Sequence, residues 1–236
     1  MSIFLQRKIN MIVCDMAGTI VNEKGLIYKS IFNTLKTSGY AATPQMMDSW
    51  PGKDKKDVLR NVVYQHIGNY KRADEVSSEL ENELMKTLEK EYFKKGNIEL
   101  IDDNLLDFFD CVRINGIKVC LNTGYPKKLQ EKIIDKFNLD GRIDSFISSE
   151  EVVCGRPAPY MIHRLMEDNL IMSANSVAKI GDTQTDMLEG VNANCGLVIG
   201  VLSGHEKKDN LLSVGADVVV NKITDLDSEV YCDFYL

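Results

Sequence analysis

The chain has 236 residues, 44% hydrophobic and 27% charged, which is enough for one large domain or for a core with a smaller insert. Its formal net charge of -7 disfavours nucleic acids and anionic membrane surfaces as partners, because no basic excess is available to neutralise phosphates. The six cysteines lack the spacing of zinc or redox motifs, and no signal peptide or apolar span of roughly 18 residues is recognisable. We therefore expect a cytoplasmic protein that takes small metabolites as ligands and does not bind membranes.

The first predicted strand is an almost wholly apolar run, residues 9–14, that ends at Asp15. Such a run is typical of a strand buried on both faces of a parallel sheet. Because ligands of open α/β sheets bind outside the carboxyl ends of the strands, we expect Asp15 at the floor of a site. Taken alone, Asp15 is also explained as a residue that caps a turn.

The next part of the chain has helical spacing and no strand pattern. Apolar residues recur at three and four from Leu26 to Leu35, and a long amphipathic stretch runs from Val76 to Phe93. We therefore predict a helical cap domain over residues 22–96, inserted into a core domain formed by residues 1–21 and 97–236.

Strands and helices alternate after the insert, which predicts an α/β fold with a parallel sheet and helices on both faces. No assignment follows for residues 225–236. The predicted strands are 117–123, 143–148, 177–180, 196–201 and 217–220, and the predicted helices are 105–113, 127–137, 159–169 and 187–193.

Polar groups stand at or near the ends of these strands. Besides Asp15 they are Thr123-Gly124, the carboxylates Asp182 and Asp186, and Arg156 in Gly155-Arg156-Pro157. Each has a structural explanation of its own: a strand-to-helix turn, a helix start with an acidic first turn, or a surface arginine beside proline. Together they supply carboxylates, a hydroxyl, backbone N–H groups and a guanidinium, the groups that hold Mg²⁺ and a phosphoryl group.

The expected roles follow from charge. Mg²⁺ prefers oxygen ligands in near-octahedral geometry, which fits Asp15 and Asp182. A carboxylate attacks phosphorus only when the repulsion between two anions is cancelled, and the metal, Arg156 and the N–H groups after Thr123 would cancel it. Asp15 is then expected to be a covalent nucleophile that forms an aspartyl-phosphate.

Four motifs along the chain resemble those of the haloacid dehalogenase superfamily, in the same order. They are Asp15-Met16-Ala17-Gly18-Thr19, Thr123-Gly124, Gly155-Arg156-Pro157 and Gly181-Asp182-Thr183-Gln184-Thr185-Asp186. The D-x-A-G-T form, the T-G-Y that ends at Tyr125 and the G-R-P-x-P are similar to the phosphonatase branch, the phosphonoacetaldehyde hydrolases and their relatives.

The resemblance implies a Rossmann-like core, a helical cap after the first motif, an obligatory Mg²⁺ and Asp15 as nucleophile. It also implies that the backbone carbonyl of Ala17 and the carboxylate of Asp182 are metal ligands, with Asp186 supporting the metal site. A cap-mediated homodimer is one expectation from the resemblance, and a monomer is the other.

Ala17 stands where most phosphatases of the superfamily carry an aspartate that acts as general acid and base. A methyl group cannot protonate a leaving group. General acid catalysis of this kind accelerates a reaction roughly 10²–10⁴-fold. In the phosphonatases that the chain resembles, a cap lysine instead forms a Schiff base with the substrate aldehyde.

Lys55 is the candidate for that lysine. At about 100° per residue it falls on one helix face, whereas Lys53 lies nearly opposite and Lys56 to one side. The alternative is a lysine that extends over the apolar face into solvent. The expected face comprises Val58, Leu59, Val62 and His66.

The aldehyde pocket departs from the family pattern. In the phosphonoacetaldehyde hydrolases a methionine precedes Gly52, a histidine follows the cap lysine by three, and a cysteine follows the first motif. This sequence has Pro51, Val58 and Gly25 at those positions. The nucleophile and metal positions therefore agree with the family, while the identity of the organic substrate stays open.

The sequence predicts a Mg²⁺-dependent hydrolase of a small phosphorylated or phosphonate metabolite, acting through Asp15. Lys55 and Arg156 are the other expected catalytic residues. The expected substrate- and phosphate-binding residues are Gly52, Thr123, Gly124, Tyr125 and Arg156. The alternative is a protein that binds Mg²⁺ and a phosphate metabolite with little or no turnover, because Ala17 replaces the general acid. A dehalogenase is disfavoured, since its chemistry needs neither a metal nor a phosphate grip.

Overall fold

A computed structural model of the chain describes residues 3–226. The chain divides into two compact units, here called the core unit, which runs up to Asn22 and resumes at Leu100, and the helical unit, Glu23–Glu99. The expected insert began at residue 22 and ended at residue 96, and its role as a cap stays a prediction. Residues 227–236, within a stretch that gave no assignment from sequence, lie outside the described residues.

Eight strands and ten α-helices are described. The strands are β1 (Met11–Cys14), β2 (Val21–Asn22), β3 (Glu99–Leu100), β4 (Lys118–Thr123), β5 (Ser145–Ser148), β6 (Val177–Gly181), β7 (Leu197–Val201) and β8 (Val218–Val220). The helices are α1 (Ile3–Gln6), α2 (Leu26–Thr37), α3 (Pro44–Asp48), α4 (Lys55–Ile67), α5 (Tyr70–Glu89), α6 (Leu105–Ile114), α7 (Lys127–Lys136), α8 (Tyr160–Asp168), α9 (Gln184–Asn192) and α10 (Lys208–Ser213).

The core unit contains a six-stranded sheet in the order β5-β4-β1-β6-β7-β8, and all its strand pairs are parallel. The predicted α/β class with a parallel sheet is confirmed. Strands β1, β6 and β7 are buried along their whole length, as expected of strands covered on both faces. The chain builds outward from β1 through β4 to β5, then crosses to β6 on the other side of β1, which creates a topological switch point.

The register of the central strands determines where the site forms. Cys14, the last residue of β1, pairs with Leu121 of β4 and with Ile180 of β6. Parallel strands in this register end at one edge of the sheet. The residues that follow β1 and β6 therefore emerge side by side, next to the end of β4.

The helical unit is built around α5, which packs against α2 and α4. The apolar spacing predicted from the sequence is confirmed, because Val76, Leu80, Leu84 and Leu88 are all buried. One turn of π-helix, Lys90–Lys94, continues α5 and buries Tyr92. Side chains cap the helix starts: Asp54 accepts from the N–H of Asp57, and Asn69 from the N–H of Arg72.

Helices α1 and α10 and strands β2 and β3 were not predicted from the sequence, and one helix start was placed too late. Strands β2 and β3 form a separate two-stranded sheet that was not predicted, since two residues are too few to show an alternating pattern. Helix α9 begins at Gln184 rather than at residue 187. Its first turn carries polar residues, so apolar periodicity alone starts the helix too late. Within residues 3–226, no helix is long and apolar enough to cross a membrane.

Candidate active site

Asp15 emerges directly from β1 and is nearly buried, with 5% of its surface exposed. Its N–H donates to the carbonyl of Ile180 at 2.9 Å, which continues the β1–β6 pairing by one residue. The chain then turns tightly, and Gly18 adopts φ +85°. A Cβ at Gly18 would lie 2.5 Å from Oδ2 of Asp182, so both the backbone conformation and the lack of space require glycine here.

Three buried carboxylates meet at this edge of the sheet. Asp182 follows β6 directly, and Asp186 lies in the first turn of α9, whose N-cap is Thr183. One oxygen from each of Asp15, Asp182 and Asp186 lies within 4.8 Å of the others. The structure thus brings together the carboxylates that the sequence predicted at the site.

The backbone orients the middle carboxylate of this cluster. The N–H of His205 donates to Oδ2 of Asp182 at 2.9 Å. Gly204 lies so close that a Cβ there would overlap Asp182. Two glycines, Gly18 and Gly204, thus form a cradle around the Asp182 carboxylate, and a side chain at either would fill it.

Burial and mutual repulsion shift the pKa values of these acids. Burial, together with the charges of Asp15 and Asp186, raises the pKa of Asp182 well above its ordinary value. Burial also raises the pKa of Asp15, although the nearby Arg156 charge opposes it. Burial acts in the same direction on Asp186, but the charges of Arg156 and Lys179 outweigh it and lower the pKa of this group.

This donor set fits a hard divalent cation. The donors are carboxylate oxygens at close spacing, burial and the neighbouring carboxylates raise the pKa of Asp182, and a side chain at Gly18 or Gly204 would fill the space beside it. Asp15 and Asp182 are the residues that would hold Mg²⁺. Ala17 lies in the turn after Asp15, and the role of its carbonyl as a ligand stays a prediction.

Arg156 lies beside Asp15. The sequence predicted that both side chains act on the same phosphoryl group. Its Nη1 donates to Oδ1 of Asp15 at 2.6 Å and lies 2.8 Å from Oδ1 of Asp186. Its Nη2 donates at 2.7 Å to both the backbone carbonyl and Oδ1 of Asn122. The side chain is 1% exposed, so these protein oxygens engage both terminal nitrogens of the guanidinium.

Sequence reasoning missed three buried polar residues that complete this cluster. Lys179 on β6, Glu189 on α9 and Asn122 on β4 are each fully buried. Nδ2 of Asn122 donates to both carboxylate oxygens of Glu189 at 2.9 Å. A usable signal existed: Lys179 interrupts an apolar strand pattern, and Glu189 follows Asp186 by three residues on the same helix face.

The end of β4 is organised by hydroxyl groups. Oγ1 of Thr123 accepts from the N–H of Tyr125 at 3.1 Å, and Oγ of Ser148 donates to the carbonyl of Tyr125 at 2.6 Å. Tyr125 is 1% exposed, so its side chain is buried. Phosphate binding by Thr123, Gly124 and Tyr125 stays a prediction.

In the helical unit, Lys55 is the first residue of α4 and is 6% exposed. The inward orientation predicted from helical spacing is confirmed, together with burial of Val58, Leu59 and Val62, whereas His66 is exposed. Nζ of Lys55 donates to the carbonyl of Lys53 at 2.8 Å and lies 5.6 Å from the centroid of the Tyr28 ring. Gly52 adopts φ +74° in the turn before α4.

Glu23 is a buried acid near Lys55 that sequence reasoning also missed. Its Oε2 accepts from the N–H of Ile27 at 2.7 Å and from the hydroxyl of Tyr92 at 3.2 Å. Burial raises the pKa of Glu23, and the charge of Lys55 acts in the opposite direction. The helical unit therefore contains a buried acid, Glu23, and a buried lysine, Lys55, whose charge acts on it.

A family model described as haloacid dehalogenase-like hydrolase matches residues 12–200, which is most of the chain. The chain belongs to the haloacid dehalogenase-like hydrolases. The membership expected from the four motifs is thereby confirmed, and so is the expectation of an enzyme of the hydrolase class.

Several relatives of this hydrolase carry a more specific name. The chain is 29% identical over 188 residues to a phosphonoacetaldehyde hydrolase from Parabacteroides distasonis, with 70% of this chain and 68% of the relative aligned. It is 24% identical over 252 residues to a phosphonoacetaldehyde hydrolase from Bacteroides fragilis, with 93% and 95% aligned.

Solved structures share the fold of this hydrolase. A hydrolase from Pseudomonas syringae matches with a TM-score of 0.77 at 16% identity, covering 93% of this chain and 96% of the other. A phosphonoacetaldehyde hydrolase like protein from Oleispira antarctica matches with a TM-score of 0.74 at 18% identity, covering 94% and 91%. At this identity the likeness shows the fold alone.

Proposed function

We propose that this hydrolase transfers a phosphoryl group from a small organophosphorus metabolite to Asp15 and then to water, with Mg²⁺ as cofactor. One observation carries the proposal: the Asp15 carboxylate, paired with Arg156, lies in a cluster of three buried carboxylates at the carboxyl edge of the sheet. The names of the relatives, phosphonoacetaldehyde hydrolases, support an organophosphorus substrate.

Asp15 is suited to act as the nucleophile. Its Oδ1 is held by Nη1 of Arg156 at 2.6 Å, which leaves Oδ2 for attack on phosphorus. The guanidinium offsets part of the repulsion between the carboxylate and an incoming phosphoryl anion. The product of attack is an aspartyl-phosphate, which water then hydrolyses to free Asp15 and inorganic phosphate.

The metal and the end of β4 have complementary roles in the proposal. When bound by Asp15, Asp182 and the carbonyl of Ala17, Mg²⁺ supplies positive charge for the phosphoryl oxygens. The hydroxyl of Thr123 and the backbone N–H groups around Gly124 would donate to the remaining phosphoryl oxygens. Arg156 would act on the same group through its pairing with Asp15, while Asp186 supports the site by holding Arg156.

Lys55 is proposed to take part in departure of the leaving group when the helical unit acts as a cap. Two forms of this role differ in the bond that is cleaved. In the first, Lys55 forms an imine with a substrate aldehyde and releases water, and the electron pair of the breaking C–P bond passes into the imine to give an enamine, which takes up a proton. In the second, its ammonium group assists hydrolysis of a phosphoester electrostatically. The relatives' names favour the first, whereas Pro51, Val58 and Gly25 at the expected aldehyde pocket favour the second.

The test is a steady-state assay of phosphate release from a panel of phosphonates and phosphate esters with Mg²⁺. We expect turnover that is abolished by Asp15→Asn and retained by Asp103→Asn, which changes an exposed acid of the same unit. Borohydride reduction in the presence of an aldehyde substrate distinguishes the two forms of the proposal. A reduced adduct on Lys55, absent in Lys55→Met, supports C–P cleavage.

The alternative is a protein that binds Mg²⁺ and a phosphate metabolite with little or no turnover. Ala17 favours it, because no general acid stands two residues after the nucleophile. Binding of Mg²⁺ and inorganic phosphate in calorimetry, with no phosphate release from any member of the panel, would support this alternative and contradict the hydrolase.

A further inference from the structure

Arg156 is not held by a regular element of secondary structure. It lies in the irregular segment between β5 and α8, so the backbone alone does not fix the direction of its long side chain. A guanidinium is a planar fork whose N–H groups have fixed relative directions. Once two of its nitrogens are bound, the direction of the third is determined.

Asn122 and Glu189 constrain two of the three nitrogens in different ways. Nη2 of Arg156 donates hydrogen bonds to both oxygens of Asn122, whereas Nε lies 3.1 Å from Oε2 of Glu189 as an ion pair without hydrogen-bond geometry. The fork then has Nη1 left, which points at Oδ1 of Asp15. Asp186 and Glu189 stand three apart on α9, so one face of that helix provides both acidic contacts to Arg156.

Lys179, on β6, contacts the same residues as Arg156 does. Its Nζ donates to Oδ1 of Asn122 at 2.7 Å and lies 3.0 Å from Oδ1 of Asp186 and 3.1 Å from Oε2 of Glu189. The side chain of Lys179 is fully buried, and these three contacts are all with protein oxygens. Lys179 and Arg156 therefore share three partners.

The charges of this cluster divide into two sets. Lys179 and Arg156 balance Asp186 and Glu189, so the inner set is neutral. Asp15 and Asp182 remain as two carboxylates outside this set, and a divalent cation would match their charge. Without Lys179, Arg156 alone would face both Asp186 and Glu189, and less of its charge would act on Asp15.

We propose that Glu189 and Lys179 are positioning residues that act through Arg156, fixing its guanidinium so that Nη1 holds Oδ1 of Asp15 in the orientation for attack. The inference rests on the proposed function for its catalytic meaning. Its geometric content, the orientation of Arg156, is testable without any substrate.

The test uses the whole protein and two variants. Glu189→Gln removes one charge with little change of shape. The double variant Lys179→Met/Glu189→Leu replaces the pair by apolar groups of similar volume, a change that often preserves stability. The matched control is Lys118→Met, which removes an ion pair with Asp144 at the start of β4.

Beryllium fluoride with Mg²⁺ is the probe, because it mimics a phosphoryl group on a carboxylate, and its binding is measured by ¹⁹F NMR. We expect both variants to keep the far-UV circular dichroism of the wild type while beryllium fluoride affinity falls roughly 10–100-fold, the usual effect of residues that orient a site. Lys118→Met should leave the affinity unchanged. In an Arg156→Lys background, Glu189→Gln should add less than about 3-fold, because residues that act through one another are not additive.

A folded double variant with wild-type affinity would overturn the inference, and so would an equal loss in the Arg156→Lys background. A crystal structure of the double variant gives a readout independent of chemistry. We expect Nη1 of Arg156 to have left Oδ1 of Asp15, and an unchanged 2.6 Å contact would overturn the inference. If the wild type binds no beryllium fluoride, the nucleophilic role of Asp15 is contradicted, while the crystal structure still decides whether Glu189 and Lys179 position Arg156.

Discussion

At the turn after β1, Gly18 combines φ +85° with a position where a Cβ would lie 2.5 Å from Oδ2 of Asp182. The sequence indicated a turn here but not the contact. A glycine turn is recognisable from the local sequence. The carboxylate that Gly18 contacts belongs to Asp182, which lies 164 residues further along the chain. Only the pairing of β1 with β6 brings the two together.

Gly18→Ala is expected to reduce Mg²⁺ affinity and to destabilise the protein by roughly 1–3 kcal/mol, because a strained backbone and a displaced Asp182 add together. Isothermal titration calorimetry and urea unfolding measure the two effects. Gly25→Ala is the matched control. Gly25 likewise has a positive φ, +70°, but nothing lies within 4 Å of a Cβ there. Its cost should be about 1 kcal/mol with Mg²⁺ affinity unchanged. Equal Mg²⁺ affinity in Gly18→Ala would contradict the cradle.

At the scale of the element, the start of α9 links helix capping to the site. Oγ1 of Thr183 accepts from the N–H of Asp186, and the N–H of Thr183 donates to Oδ2 of Asp186, which forms a capping box. The cap therefore holds both the helix end and the carboxylate that binds Arg156. Sequence reasoning identified Asp186 and the possibility of a cap, but it placed the helix start too late.

Thr183→Ala is expected to lower the free energy of unfolding by about 1 kcal/mol, up to about 2 kcal/mol, because the cap is lost. Urea unfolding monitored by circular dichroism gives the value. Thr183→Ser keeps the hydroxyl and should lose well under half as much. A serine variant as unstable as the alanine variant would show that the methyl group, and not the cap, provides the stabilisation.

The helical unit provides a pH-dependent prediction. Burial raises the pKa of Glu23 above its ordinary 4.5, so the folded chain binds this proton more tightly than the unfolded chain. The free energy of unfolding should therefore fall as pH rises from about 4.5 through the folded-state pKa, and the Glu23 contribution should be level above it. Glu23→Gln should remove this part of the pH dependence in urea unfolding series.

Tyr92→Phe is the control, because it removes one hydrogen bond and keeps the buried acid. An unchanged profile in Glu23→Gln would contradict the assignment.

At the scale of the whole molecule, the residual charge of the buried cluster predicts a response to metal. Mg²⁺ that binds the folded chain alone should raise the free energy of unfolding by about 2.7 kcal/mol at 100 times its Kd. Because the pKa of Asp182 is raised, protons compete for the site, and Mg²⁺ affinity should decrease as pH is lowered from neutrality. Urea midpoints in EDTA and in Mg²⁺ measure the first effect, and calorimetry the second.

Asp182→Asn should abolish the stabilisation by Mg²⁺, and Asp103→Asn should preserve it, because Asp103 is exposed. Stabilisation that persists in Asp182→Asn would place the metal elsewhere. Each variant loses one carboxylate, so both have the same net charge. A difference between them in stabilisation by Mg²⁺ therefore comes from the position of the carboxylate.

The sequence by itself determined the order of the strands of the six-stranded sheet along the chain, the helical class of the insert and the residues that stand where the strands end. Apolar periodicity and strand-terminal residues are local properties, readable within a few positions, and they sufficed for the parallel α/β fold and for Asp15, Thr123 and Asp182.

Only the tertiary structure decided which buried groups share partners. The convergence of Asn122, Lys179 and Glu189 on Arg156 depends on the register of β4 and β6 and on how α9 packs over them. A charged residue in an apolar pattern shows that some partner must exist, because an unpaired buried charge is too costly. Which partner it is depends on contacts between residues far apart in the chain, and no local pattern encodes them.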